Sequence, residues 1–212
     1  MNGTITVKRR RCGLMNILSY RRQVVADHSS TNYLFYSPKP LSRETRAKVS
    51  RLSSHVDVSA HTAEITYHGE FADLGDKRRR KFLQHYDVEI RESYDWWDIS
   101  IMLETDKLPD LEAVTKYEEE EGEASLTFER IGKRVCLLFV GCHLDYSACY
   151  KEFGEDLMRG LAELAVDIRD ELYAGKMDAL EVMATYCREN RVPGRRGLSP
   201  AARTLCAILE PI

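Results

Sequence analysis

Apolar positions in the first half of the chain switch between a period of two and a helical period, and the switches order the elements. Residues 86–91 alternate strictly, with Tyr86, Val88 and Ile90 on one side and Asp87, Glu89 and Arg91 on the other, as in a half-buried strand. After a turn at residues 92–95 the alternation resumes, with Trp97, Ile99, Ile101 and Leu103 set against Asp98, Ser100, Met102 and Glu104. Upstream, an aromatic strand at 33–37 ends at Pro38 and Pro40, and Ser42 offers an N-cap to a helix over 43–53. Residues 55–59 and 63–68 pattern as a hairpin, and Gly69 and Gly75 bracket a loop into a second helix at 76–85. The order strand, helix, strand, strand, helix, strand predicts an α+β protein built on a ferredoxin-like split β-α-β sheet with its helices on one face.

Downstream, the Leu108-Pro109-Asp110 turn and the acidic run at 118–121 predict a solvated excursion. A second hairpin follows at 126–131 and 134–141, joined by Gly132-Lys133. Its second strand is apolar on both faces, which suits a place with a neighbour on each side. From residue 147 the period becomes helical. Leu157, Leu161, Leu164, Ile168 and Leu172 mark one stripe of about 25 residues that Gly175 ends. Another amphipathic helix spans 177–188, a Pro/Gly linker covers 191–198, and Ser199-Pro200 opens a last short helix. The expected organisation is a basic N-terminal extension at 1–30, a sheet domain at 31–146, a helical segment packed on the sheet at 147–190, and a linker with a short helix at 191–212.

Composition narrows the function classes. A net charge of −3 argues against a general nucleic-acid coat while leaving room for a local basic patch. No apolar run approaches the roughly 20 residues of a membrane span, and residues 1–16 lack the apolar core and cleavage site of a secretory signal. Cys12, Cys136, Cys142, Cys149, Cys187 and Cys206 fall at irregular spacings in mostly apolar stretches, as reduced, buried thiols of a cytoplasmic protein do. None forms a Cys-x-x-Cys pair, so structural zinc has no support. Phosphate-binding and dinucleotide-binding glycine loops and a Gly-x-Ser-x-Gly elbow are absent from the sequence.

Three constellations could carry function. Asp87, Glu89 and Asp98 share one strand face, and pairing of the third strand with residues 86–91 would add Glu64 and His68. Such a set could hold Mg²⁺ or Mn²⁺ and activate water for phosphodiester cleavage. The plainer reading is a solvated sheet face on which His85 and Arg91 balance the acids. Tyr94 and Trp96 form an aromatic turn: Trp97 belongs to the core by parity, and Trp96 is either an exposed interface anchor or stacked under the C-terminal helices. Two basic runs, Lys8-Arg9-Arg10-Arg11 and Lys77-Arg78-Arg79-Arg80-Lys81, could grip phosphates, alone or in a stripe with Arg191, Arg195 and Arg196. On a helix five consecutive cations surround the cylinder, so at least one must pass the core side.

Pro40-Leu41-Ser42, Leu52-Ser53-Ser54, Tyr67-His68-Gly69-Glu70-Phe71, Tyr94-Asp95-Trp96-Trp97 and the run at 169–180 with Gly175 and Asp178 are similar to a group of uncharacterised bacterial proteins. In that group the corresponding motifs are Arg-Pro-Leu, Leu-Ser-Ser and Tyr-x-x-Gly-Asp-Phe. The resemblance covers residues 33–185 and departs at Glu70, where Asp is usual, and in the basic run at 77–81. It implies a bacterial, cytosolic origin and a shared fold, and adds no catalytic residue. The expectation is therefore a non-catalytic interaction module, an adaptor or accessory subunit with a protein partner, no cofactor and no membrane association. The rivals are a metal-dependent nuclease or phosphoesterase through Asp87, Glu89, Asp98 and His68, and a nucleic-acid binder through the two basic runs.

Overall fold

The period-two segments all join one sheet. In the computed structural model, which describes residues 30–68 and 73–212, the strands are β1 (Ser30–Tyr36), β2 (Val56–Val58), β3 (Thr62–His68), β4 (Val88–Ser93), β5 (Trp96–Glu104), β6 (Ser125–Ile131), β7 (Arg134–Leu144) and β8 (Leu209–Glu210). Their order is β2-β3-β1-β4-β5-β7-β6, with β8 added to β7, and the neighbours run antiparallel. The helices are α1 (Arg43–Val49), α2 (Asp76–Leu83), α3 (Leu111–Thr115), α4 (Tyr146–Phe153), α5 (Leu157–Tyr173), α6 (Asp178–Glu189) and α7 (Pro200–Ile208). No helix among the described residues is long and apolar enough to cross a membrane.

Alternation along each strand feeds two cores. Tyr33, Phe35, Ala63, Ile65, Met102 and Cys136 face α1 and α2, where they meet Val49, Phe82 and Leu83. Phe35 stacks on Phe82 with ring centroids 4.6 Å apart. Leu34, Val88, Ile90, Trp97, Ile99, Ile101, Leu103 and Phe139 face the opposite way and share one cluster with α5, α6 and α7. Burying that many aliphatic side chains, at about 1.5–3 kcal/mol each, makes the helical layer integral to the sheet. β7 has β5 on one side and β6 on the other, and its two faces feed both cores, Leu137 and Phe139 into one and Cys136 into the other.

Several sequence expectations need correction. β3 does not pair with β4, because β1 lies between them and pairs with both. Each crossover helix carries the chain over one strand, and strand order is a tertiary property that local alternation does not encode. Tyr86 belongs to the α2 core, not to the face of Val88 and Ile90. It sits in the turn after α2, where its N–H bonds Phe82 O, and β4 starts only at Val88. The long apolar stripe from residue 147 is two helices, not one. Gly154 ends α4 at φ 75°, and Asp156 caps α5 by accepting the Arg159 N–H. α4 folds back on α5 so closely that a Cβ on Gly160 would lie 2.3 Å from Phe153 Cγ.

Candidate functional site

The polar row of β4 and β5 faces α2, and the register fixes its members. Glu89 stands opposite Ser100 and Arg91 opposite Asp98, while Asp87 precedes β4 and its carbonyl accepts the Met102 N–H. This face is not solvated as expected: Glu89 and Ser100 are buried. The cover comes from the basic run. Lys77, Arg78, Arg80 and Lys81 are exposed, but Arg79 turns inward. Its Nε donates to Glu89 Oε2 at 2.6 Å, one Nη to Ser100 Oγ at 2.8 Å, and the other to Glu129 Oε1 at 3.2 Å. Arg80 holds the second Glu129 oxygen at 2.7 Å. One cation of the run does pass the core side, and it meets three partners there.

Each of the three candidate acids has its own arginine. Asp98 Oδ2 accepts from Arg91 at 2.8 Å, and its Oδ1 accepts from Gly141 N at 2.9 Å. Gly141 reaches that point at φ 75°, beside the irregularity where β7 shifts register against β5. Asp87 lies 3.2 Å from Arg134 and 3.5 Å from Arg169, and accepts from Ser37 Oγ. Burial pushes the Glu89 carboxyl upward in pKa, and Arg79 pulls the other way. Burial opposes the charge on Arg79, yet Glu89 and its neighbours outweigh it and raise its pKa.

Glu64 and His68 do not join this row. Glu64 stands opposite Leu34 in the register, whereas Glu89 stands opposite Phe35, so the two carboxylates leave opposite faces of the sheet. His68 shares the parity of Glu64, at the end of β3 opposite Ser30. Among the described residues no three His, Cys, Asp or Glu side chains converge as metal ligands. The basic stripe is not assembled either. Val192 and Leu198, which flank Arg195 and Arg196, pack on the core opposite α2. Lys8, Arg9, Arg10, Arg11 and Cys12, and residues 69–72 with Glu70 and Phe71, lie outside the described residues.

The aromatic turn divides as parity requires. Trp97 is buried, while Tyr94 and Trp96 are 45% and 39% exposed. Trp96 is not stacked under the C-terminal helices: its ring meets His143 edge-on at 4.7 Å, on the side of β5 away from Trp97. The five described cysteines are all buried thiols, and burial pushes Cys136, Cys149 and Cys187 up to about 12, far from nucleophilic character.

Sequence reasoning missed Glu92. Residues 92–95 read as a turn, but β4 continues to Ser93 and only Tyr94 and Asp95 separate it from β5. Glu92 is buried on the face opposite Glu89 and accepts from Asn32 Nδ2 at 2.8 Å; Asn32 in turn accepts from Thr66 Oγ1 at 2.9 Å. Burial drives its pKa to about 7, against the Asn32 bond. Arg134 and Arg169, the partners of Asp87, carried no signal beyond ordinary strand and helix positions. No family model and no curated protein matches this chain.

Proposed function

We propose that the chain is a non-catalytic interaction module, an adaptor or accessory subunit of a bacterial cytosolic assembly. The observation that carries the reading is the pair of exposed aromatics, Tyr94 in the two-residue turn and Trp96 at the start of β5 beside it. Large aromatic rings held at low entropy cost are typical anchors of protein interfaces. The pairing of Asp87, Glu89 and Asp98 with separate arginines supports the same reading, because it occupies the groups an enzyme would need. The buried thiols suit a reducing compartment. The order β2-β3-β1-β4, with α1 and α2 against one face, fits a ferredoxin-like split β-α-β unit extended by β5 to β7. The test is affinity capture with the full chain from bacterial lysate, beside a Tyr94→Ala/Trp96→Ala variant. A stoichiometric protein partner held by the first and lost by the second is expected. A partner retained equally by both removes the role of the turn.

A second reading rests on Lys77, Arg78, Arg80 and Lys81, which leave one short helix exposed to solvent. It makes the chain a nucleic-acid binder, with affinity falling steeply with salt. Oligonucleotide binding that weakens on neutralising Lys77, Arg78 and Lys81 would favour it over the adaptor.

A further inference from the structure

An open groove of about 770 Å³ runs along α5 between α4 and α7. Phe153, Leu164, Ala174, Pro200 and Ala201 give it an apolar lining. Six acids line it as well, Glu152, Asp156, Glu163, Asp167, Asp170 and Glu171. Two cations stand against them, Arg159 and Lys176, which leaves the groove at a net charge of −4.

Only part of this charge is met in place. Glu163 pairs with Arg159 at 2.8 Å, Asp170 with Arg169 at 3.1 Å, and Glu171 accepts from Ser199 Oγ and Ala201 N. Glu152 and Asp167 accept no hydrogen bond and make no ion pair among the described residues. Partial burial, then the charges of Asp170, Glu171 and Glu163, hold the Asp167 carboxyl above its ordinary pKa.

The chain itself carries the complement. Residues 1–29, outside the described residues, hold six Lys and Arg against one Asp, a net charge of +5. The whole chain stands at −3, so residues 30–212 carry −8, and half of that excess lines this one groove. The order of side chains matches too. Lys8-Arg9-Arg10-Arg11 and Arg21-Arg22 bracket the apolar residues 14–18, as the acids of the groove accompany its apolar lining. The groove also borders the strand into which this segment leads. Arg159 lies 4.3 Å from the ring centroid of Tyr36, at the far end of β1. Ser30 to Tyr36 spans about 20 Å, whereas the chain from Lys8 to Ser30 can span about 70 Å. The other basic run cannot serve within one molecule, because α2 packs on the opposite face of the sheet from α5.

We propose that this groove is the docking site of the chain's own basic segment at 8–22. Its cations neutralise the acids while residues 14–18 cover the apolar lining. Docking withholds Lys8-Arg9-Arg10-Arg11 from phosphates. The contact does not rest on the adaptor reading.

The test places a nitroxide on Cys12 of the full chain, the five other thiols being buried, and reads paramagnetic broadening by amide NMR. The amides of Gly160, Asp167 and Ala174 should broaden while those of α2 do not. Arg9→Glu/Arg10→Glu/Arg11→Glu should remove the broadening, and adding Glu152→Lys/Asp167→Lys to that chain should restore it. Salt raised from about 0.1 M to about 1 M should weaken it, as the screening length falls from about 10 Å to about 3 Å. Broadening that is uniform over the surface, or absent, or unchanged by the charge reversal would overturn the proposal. So would broadening in a mixture of spin-labelled chain with isotope-enriched chain lacking the label, which assigns the contact to a second copy.

Discussion

Arg79 Nε lies 2.6 Å from Glu89 Oε2, joining the middle of the basic run to the middle of the acidic row. Two sequence features that suggest separate functions, phosphate binding and metal binding, are halves of one buried contact. A charge moved alone into such a place would cost several kcal/mol, so each side chain makes the other tolerable. Glu129 and Ser100 each take a bond from one of the two terminal nitrogens of Arg79, which fixes how α2 seats on β4, β5 and β6. The face expected to be open for chemistry is closed by the helix expected to be open for nucleic acid.

Glu92 makes stability depend on pH. Its carboxyl has an ordinary value of 4.5 and rises to about 7 in the fold, so the native state binds the proton more tightly than the unfolded chain. Its contribution is full below 4.5, declines as pH rises, and is gone above about 7. The span corresponds to about 3–4 kcal/mol at about 1.4 kcal/mol per unit. Urea unfolding of Glu92→Gln should therefore lose this slope and gain on the unmodified chain at about pH 8 relative to about pH 5. A parallel slope in both proteins would assign the pH response elsewhere.

Gly160 is required by contact. Gly160→Ala places a methyl against Phe153 Cβ and Cγ, and the Cβ cannot move away without moving α4. Overpacking of this kind costs about 1–3 kcal/mol, and Phe153→Ala, which removes Cγ and the ring, should cost less in the Gly160→Ala chain than in the unmodified one. Thermal unfolding of the single and double variants measures both effects.

The adjacent tryptophans should separate stability from binding. Trp97→Ala removes a buried ring from the larger core and should cost about 3–5 kcal/mol. Trp96→Ala removes a half-exposed ring whose described ring contact is with His143, and should cost under about 1 kcal/mol. Chemical denaturation of the two variants gives the comparison, and equal losses would place Trp96 in the core.

Much of this fold is legible in the sequence where the information is local. The alternation at β4 and β5 announces a hairpin, and Ser42 caps α1 by accepting the Thr45 N–H, as its position implies. The inward cation of the basic run follows from helix geometry alone. Its partner does not, because Glu89 becomes reachable only after α2 docks across the sheet. The register of β3 and β4 against β1 is equally silent in local alternation, and it sends Glu64 and His68 to the face opposite Glu89. Glu92 escapes notice because the turn beside it lacks the usual glycine or asparagine: Tyr94 itself adopts φ 58°. Gly154 divides an apolar stripe that is otherwise continuous in phase.

The most direct test is a double-mutant cycle on Arg79 and Glu89, with Arg79→Met, Glu89→Leu and the pair together compared by urea unfolding. Each single change should cost about 3–5 kcal/mol, because it strands the other charge, while the double change costs much less. Additive losses, or a fully stable Glu89→Leu chain that has lost an Mn²⁺-dependent phosphodiesterase activity, would contradict the account and return Glu89 to chemistry.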